Sequence, residues 1–188
     1  MTIEQVLDRL AAGNARFVAD KLDGKLQNSV RRTALTSGQE PYAIILSCAD
    51  SRVIPELAFD AGLGELFVVR VAGNVANTDT IASIEYAVAH LATTVIMVLG
   101  HESCGAVTAA VLGGDNGYNL NHLLAQVTPA IAASPDGAPV NEVVKKNACL
   151  NAEELADRSK IIREAVAAGQ VKIVPAYYNL ASGKVDLL

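Results

Sequence analysis

The chain has 188 residues, a length that suits one compact domain. Hydrophobic residues make up 51% of it, enough for a sizeable core and too many for a disordered chain. A formal net charge of −5 excludes the basic footprint of a nucleic-acid or anionic-membrane binder, and no apolar run approaches the roughly 18–20 residues needed to span a bilayer.

Ile3, Val6, Leu7, Leu10 and Ala11 recur at helical spacing, so the chain opens with an amphipathic helix reaching toward Phe17. The same stretch lacks the apolar core of a secretory signal, and a soluble, cytoplasmic protein is expected. A polar segment from Asp23 to Glu40 reads as helix plus loop. Tyr42-Ala-Ile-Ile-Leu46 is too short for a helix and suits a buried strand, ending in Ser47-Cys-Ala-Asp-Ser-Arg52. Pro55 opens a short helix through Phe59, closed by Gly62 and Gly64. Leu66–Val71 is a second strand. Ile81, Ile84, Val88 and Leu91 mark a helix from about Thr80, and a third strand, Thr94–Leu99, runs into Gly100-His-Glu-Ser-Cys-Gly105. A helix from about Ala106 stops at Gly113-Gly114. Residues 119–163 are helical apart from Ser134–Pro139, and Asn151–Glu154 reads either as a capping box or as part of a continuous helix. Val171–Tyr178 and Lys184–Leu188 form a terminal hairpin.

Alternating strands and helices predict an α/β fold: a mostly parallel central sheet, about four parallel strands plus an antiparallel edge strand, flanked by helices. A single domain is expected, with residues 1–38 as an N-terminal helical arm and 39–188 as the α/β core. In such sheets ligands sit beyond the carboxyl ends of the strands, where the strand order reverses. Both cysteine-bearing loops lie there, and they meet in one crevice if the first and third strands are neighbours.

Three cysteines, Cys48, Cys104 and Cys149, are too few and of the wrong parity for a disulfide framework. Cys48-x-Asp50-x-Arg52 and His101-x-x-Cys104 combine two thiols, an imidazole and a carboxylate held beside a guanidinium. Two thiolates and one imidazole suit zinc and leave a fourth position open. A structural zinc site and plain packing of the cysteines are the other readings of these residues. Arg52 can grip Asp50 in a bidentate pair and keep it ionised; the bland version is a surface ion pair worth at most about 1 kcal/mol. His90 and His122 read as surface or packing residues, with proton relay as a minor option, and Cys149 as a packed thiol.

Ser47-Cys-Ala-Asp-Ser-Arg-Val53, Gly64-Glu-Leu-Phe-Val-Val-Arg-Val-Ala-Gly-Asn74, Ser83-Ile-Glu-Tyr-Ala-Val88 and Leu99-Gly-His-Glu-Ser-Cys-Gly-Ala-Val107 together resemble the β-class carbonic anhydrases. The resemblance spans nearly the whole chain and is weakest between Asp115 and Asn151. It implies one zinc ion per chain on Cys48, His101 and Cys104, with Asp50 and Arg52 as a catalytic dyad. Asp50 binds the metal only in a closed state. It implies a substrate pocket of Gln39, Phe67, Ala72 and Tyr86, in which Gln39 donates to bicarbonate and Phe67 and Ala72 form an apolar wall. The activity implied is reversible hydration of carbon dioxide to bicarbonate and a proton by a zinc-bound hydroxide, in a homodimer or homotetramer with active sites at the dimer interface. In this family the opening helix typically packs on the partner. The alternatives are hydrolysis of carbon disulfide or carbonyl sulfide on the same site, and a non-catalytic zinc- or anion-binding scaffold. Neither nucleic acid nor membrane is an expected partner. Ile45 stands where the bicarbonate-inhibited subclass carries a tryptophan, so Arg70 and Tyr86 form an incomplete regulatory set.

Overall fold

The apolar run before Cys48 becomes the middle of the sheet. In the computed structural model, which describes residues 1–188, β1 (Ala43–Ser47) is buried at every position. It pairs in parallel with β2 (Leu66–Arg70) on one side and β3 (Val95–His101) on the other. β3 pairs in parallel with β4 (Lys172–Tyr178), and β5 (Val185–Leu187) closes the far edge antiparallel to β4. The order β2-β1-β3-β4-β5 is thus four parallel strands and one antiparallel edge strand, the expected fold class. Ile44-Ile45-Leu46 has no polar alternation because both faces of its strand are covered.

The helices are α1 (Ile3–Val18), α2 (Ser29–Ala34), α3 (Pro55–Ala58), α4 (Thr78–His90), α5 (Gly105–Leu112), α6 (Tyr118–Ala125), α7 (Thr128–Ala132), α8 (Val140–Arg158) and α9 (Lys160–Ala167). Alternation along the strands sends Ile44, Leu46, Ile96 and Val98 to one face, against Ile84, Ala148, Leu155 and Ile162 of α4, α8 and α9. Ile45, Val95, Met97 and Leu99 go to the other, against Val6 and Leu10 of α1 and Ala58 and Phe59 at α3. Each fully buried Val, Leu, Ile, Met or Phe among these stabilises the fold by about 1.5–3 kcal/mol. α1 therefore lies on the sheet of its own chain. Thr2 and Gln5 form its capping box, and the Asn14 side chain ties it to Ala58, Gly183 and Val185.

The structure sharpens four local expectations. β3 runs two residues past Leu99, because Gly100 and His101 continue the ladder opposite Tyr177 and Tyr178. His101 is thus fixed on a strand end rather than in a loop. Gly100 lets α8 approach, since a Cβ there would lie 3.0 Å from the Val144 side chain. α4 starts at Thr78, two residues early, where the Asn77 side chain accepts from the Thr80 N–H. Within residues 23–40 only Ser29–Ala34 is helical, capped by Asn28. Asn151–Glu154 lies inside the continuous α8. No helix is long and apolar enough to cross a membrane.

Candidate metal centre

β2 lies on one side of β1 and β3 on the other, so the strand order reverses beside β1 and a crevice opens beyond the carboxyl ends. Cys48 directly follows β1, His101 ends β3, and Cys104 is the N-cap residue of α5. All three are buried, and their ligand atoms lie within 4.8 Å of one another. The Sγ atoms of Cys48 and Cys104 are 4.0 Å apart. That is about twice the ~2.05 Å of a disulfide and close to the ~3.8 Å between two thiolates on one tetrahedral zinc. His101 Nδ1 sits 2.9 Å from the Glu102 carbonyl oxygen, the geometry of a donor. Its Nε2 is buried without a hydrogen-bond partner. A histidine so held offers Nε2 as a lone-pair donor, and with two thiols this makes a donor set that fits zinc.

The electrostatics point the same way. The Cys104 thiol hydrogen-bonds to Cys48, and this is the main reason Cys48 ionises far below the usual thiol range. Burial opposes the shift, while His101 and the backbone N–H groups of Gly73 and Asp50 assist it. The same bond, then burial, pushes Cys104 up, against the N–H groups of Val107 and Ala106 at the start of α5. Without a metal the pair holds one proton between two sulfurs, and a cation replaces it by displacing that proton.

Asp50 stands at the rim of this cluster. Its Oδ1 accepts from the Arg52 backbone N–H and from Arg52 Nε, both at 2.9 Å, and its Oδ2 accepts from Arg52 Nη2 at 2.8 Å. The Arg52 side chain therefore holds the Asp50 carboxyl well below the usual carboxylate range, with burial opposing. Asp50 Oδ2 remains 3.9 Å from His101 Nε2. The loop carrying this pair is anchored by Arg70, whose Nε donates to the Cys48 carbonyl at 2.9 Å. Its Nη2 donates to the carbonyls of Asp50 and Val53 at 2.7 and 3.0 Å.

The four residues expected to line a substrate pocket are spread apart. Ala72 lies in a single 3₁₀ turn at Ala72–Asn74, adjacent to Gly73, whose N–H donates to Cys48 Sγ at 3.3 Å. Phe67 sits opposite Ile44 in the register, four residues back from Cys48, about 13 Å along the strand. It packs on Tyr86, with ring centroids 6.4 Å apart, and Tyr86 is 51% exposed. Gln39 precedes β1 and lines a cleft with Arg9, Tyr42, Glu65 and His90 at the amino end of the sheet. One chain therefore brings together Cys48, Asp50, Arg52, Ala72, His101 and Cys104, and leaves Gln39, Phe67 and Tyr86 outside that cluster.

His90 is exposed and stacks on Tyr86 at 5.1 Å, His122 is exposed, and Cys149 is half-buried in α8 with its thiol pushed up by burial. Sequence reading missed the anchoring by Arg70, the Gly73 N–H, and two buried asparagines of α8, Asn147 and Asn151. The available signals were a Gly-Asn pair beginning three residues after the end of a strand and two asparagines one helical turn apart among apolar neighbours.

A family model described as carbonic anhydrase matches residues 43–185. The carbonic anhydrase of Mycolicibacterium smegmatis is 41% identical over 184 residues, covering 95% of this chain and 89% of its own length. Carbonic anhydrase 2 of Mycobacterium tuberculosis is 40% identical over the same shares. Among solved structures, the β-carbonic anhydrase CafA of Aspergillus fumigatus superposes with a TM-score of 0.74 at 26% identity, over 97% of this chain and 90% of that one. The Coccomyxa β-carbonic anhydrase in complex with acetazolamide shares the fold, with a TM-score of 0.76 at 24% identity over 98% and 82% of the two chains. With the cysteine–histidine–cysteine cluster at its strand ends and these relatives along its length, the chain belongs to the β-class carbonic anhydrase family.

Proposed function

We propose that this protein catalyses the reversible hydration of carbon dioxide to bicarbonate and a proton, with Cys48, His101 and Cys104 holding one zinc ion. The observation that carries the reading is the unpartnered, buried His101 Nε2 beside two sulfurs, 3.9 Å from a carboxylate gripped by arginine. When bound, the metal supplies the Lewis acidity that makes water a nucleophile near neutral pH. The chain's own residues do the rest. Arg52 holds Asp50 so that its carboxylate would not serve as a fourth metal ligand, and a scaffold would have no use for that grip. Asp50, kept ionised, accepts a hydrogen bond from the attacking water and turns its lone pair toward the substrate carbon. Ala72 supplies an apolar wall close to the cluster.

Gln39, Phe67 and Tyr86 act across a subunit interface in this reading, completing the site of a second copy. Two features support such an interface. The edge strand β2 leaves Leu66, Phe67, Val68 and Val69 only partly covered. α5 has Thr108 as its one polar side chain, yet Val107 is its only buried residue and Leu112 is 80% exposed. The protein then works as one α/β unit, its residue 1–38 arm resting on its own 39–188 core, in a homo-oligomer. Reduced thiol ligands suit a cytoplasmic setting. Arg70 spends Nε and Nη2 on three backbone carbonyls, and with Ile45 in place of a tryptophan this supports the absence of a second, inhibitory bicarbonate site.

Side-by-side assays of carbon dioxide, carbonyl sulfide and carbon disulfide on zinc-loaded protein test the substrate. Turnover of carbon dioxide far above both sulfur analogues is the expected result. Preference for a sulfur analogue contradicts the proposal.

A further inference from the structure

α8 presents Asn147, Asn151, Glu154 and Arg158 along one stripe, and this stripe grips the segment after β2. Asn147 Nδ2 donates to the Gly73 carbonyl at 2.9 Å. Asn151 Oδ1 accepts from the Ala76 N–H at 2.6 Å, and Arg158 Nη1 donates to the Ala76 carbonyl at 2.6 Å. Asn151 Nδ2 also donates to the Asn147 backbone carbonyl at 2.8 Å and to its Oδ1 at 3.1 Å, so each amide fixes the other. Asn147 is 1% exposed and Asn151 7%. Burying two amides among the otherwise apolar buried residues of α8 is unfavourable unless these bonds are made.

The gripped backbone is an unusual one. Gly73 has φ +75° and Asn74 φ +44°, two successive residues in the left-handed region. That conformation aims the Gly73 N–H at Cys48 Sγ, 3.3 Å away. A donor on a thiolate offsets part of its negative charge and holds the sulfur at one position, so the ligand is preorganised for a cation.

We infer that Asn147 and Asn151 are positioning residues for the metal centre: they lock residues 73–76 so that the Gly73 N–H stays on the Cys48 sulfur. The inference rests on Cys48 being a metal ligand. It is tested by reconstituting the metal-free protein with cobalt(II). The readouts are the near-ultraviolet thiolate-to-cobalt charge-transfer band and cobalt affinity in competition with a chelator. In Asn147→Ala and Asn151→Ala the band shifts and affinity falls about tenfold, the usual size for a group behind a metal ligand. Glu153→Gly, on the exposed side of the same helix, lowers thermal stability through helix propensity and leaves band and affinity unchanged. Should the alanine variants fail to fold, near-isosteric Asn147→Asp, which lacks the Nδ2 donor, decides by the same readouts. Folded variants with the wild-type band and affinity overturn the inference alone. A wild-type protein that develops no thiolate band overturns the metal assignment as well, which separates the two failures.

Discussion

Arg52 grips the carboxylate of Asp50 with both Nε and Nη2, at 2.9 and 2.8 Å, two residues away in the same loop and half-exposed to solvent. As a bare surface ion pair this would contribute at most about 1 kcal/mol. Its consequence is positional, since Asp50 is the one carboxylate within 4 Å of the His101 Nε2.

Arg52→Ala should therefore leave the fold intact and lower kcat/KM roughly 10–100-fold, the range for groups that orient a metal site. Arg52→Lys should not restore it, because an ammonium cannot reproduce the bidentate grip. Steady-state kinetics beside metal stoichiometry checks this: lost activity at full metal content supports the role. Unchanged kinetics for Arg52→Ala contradicts it.

Metal removal should cost stability as well as activity. The donors join the end of β1 to the end of β3 and the start of α5, so a bound ion ties three elements. At free zinc about 100-fold above its dissociation constant the gain is about 2.7 kcal/mol. Thermal melts with chelator and then with added zinc should show a reversible drop and recovery in Tm. Cys48→Ser should bind less metal and lose most of that difference.

Gln39 and Cys48 lie at opposite ends of β1, so one chain cannot place both at one site. Gln39→Ala and Cys48→Ser proteins should each be weakly active alone. Refolded together, they should regain activity through hybrid sites that take the metal centre from the first and Gln39 from the second. An absence of recovery, with hybrids present by mass, contradicts a shared site.

The pH dependence of stability has a separate source in Asp60. Burial pushes its carboxyl up, but the Arg16 Nε at 2.5 Å and the N–H groups of Asp23 and Gly24 outweigh this and hold it low. A lowered carboxylate stabilises the fold above the ordinary value of about 3.9, and that contribution is lost as pH falls through the lowered one. Arg16→Ala should therefore melt below wild type at neutral pH, with the gap closing below about pH 4. A gap constant with pH would assign the effect to packing alone.

Much of this site is legible in the amino-acid sequence, because its chemistry sits in short runs at strand ends. Ser47-Cys-Ala-Asp-Ser-Arg52 and His101-Glu-Ser-Cys104 carry the donor set and the dyad, and strand order alone brings them together. What the sequence hides depends on long-range geometry. Asn147 reaches Gly73 across 74 positions, and nothing local in α8 shows which carbonyl it meets. Gln39 is close to Cys48 in sequence yet lies at the far end of the sheet, because a strand of five residues separates them by about 17 Å. The end of β3 is hidden for a similar reason. Gly100 looks like a strand breaker, and only pairing with Tyr177 and the close approach of Val144 show why it continues the ladder.

The most direct test is stopped-flow hydration of carbon dioxide by zinc-loaded protein from neutral to alkaline pH. Two thiolates would cancel the formal charge of a bound zinc ion, so its water would be acidified less than at a neutral three-histidine site, where the value is about 7. Fast hydration that climbs smoothly toward alkaline pH is the predicted result. Zinc-loaded protein that hydrates carbon dioxide at no pH would contradict the assignment.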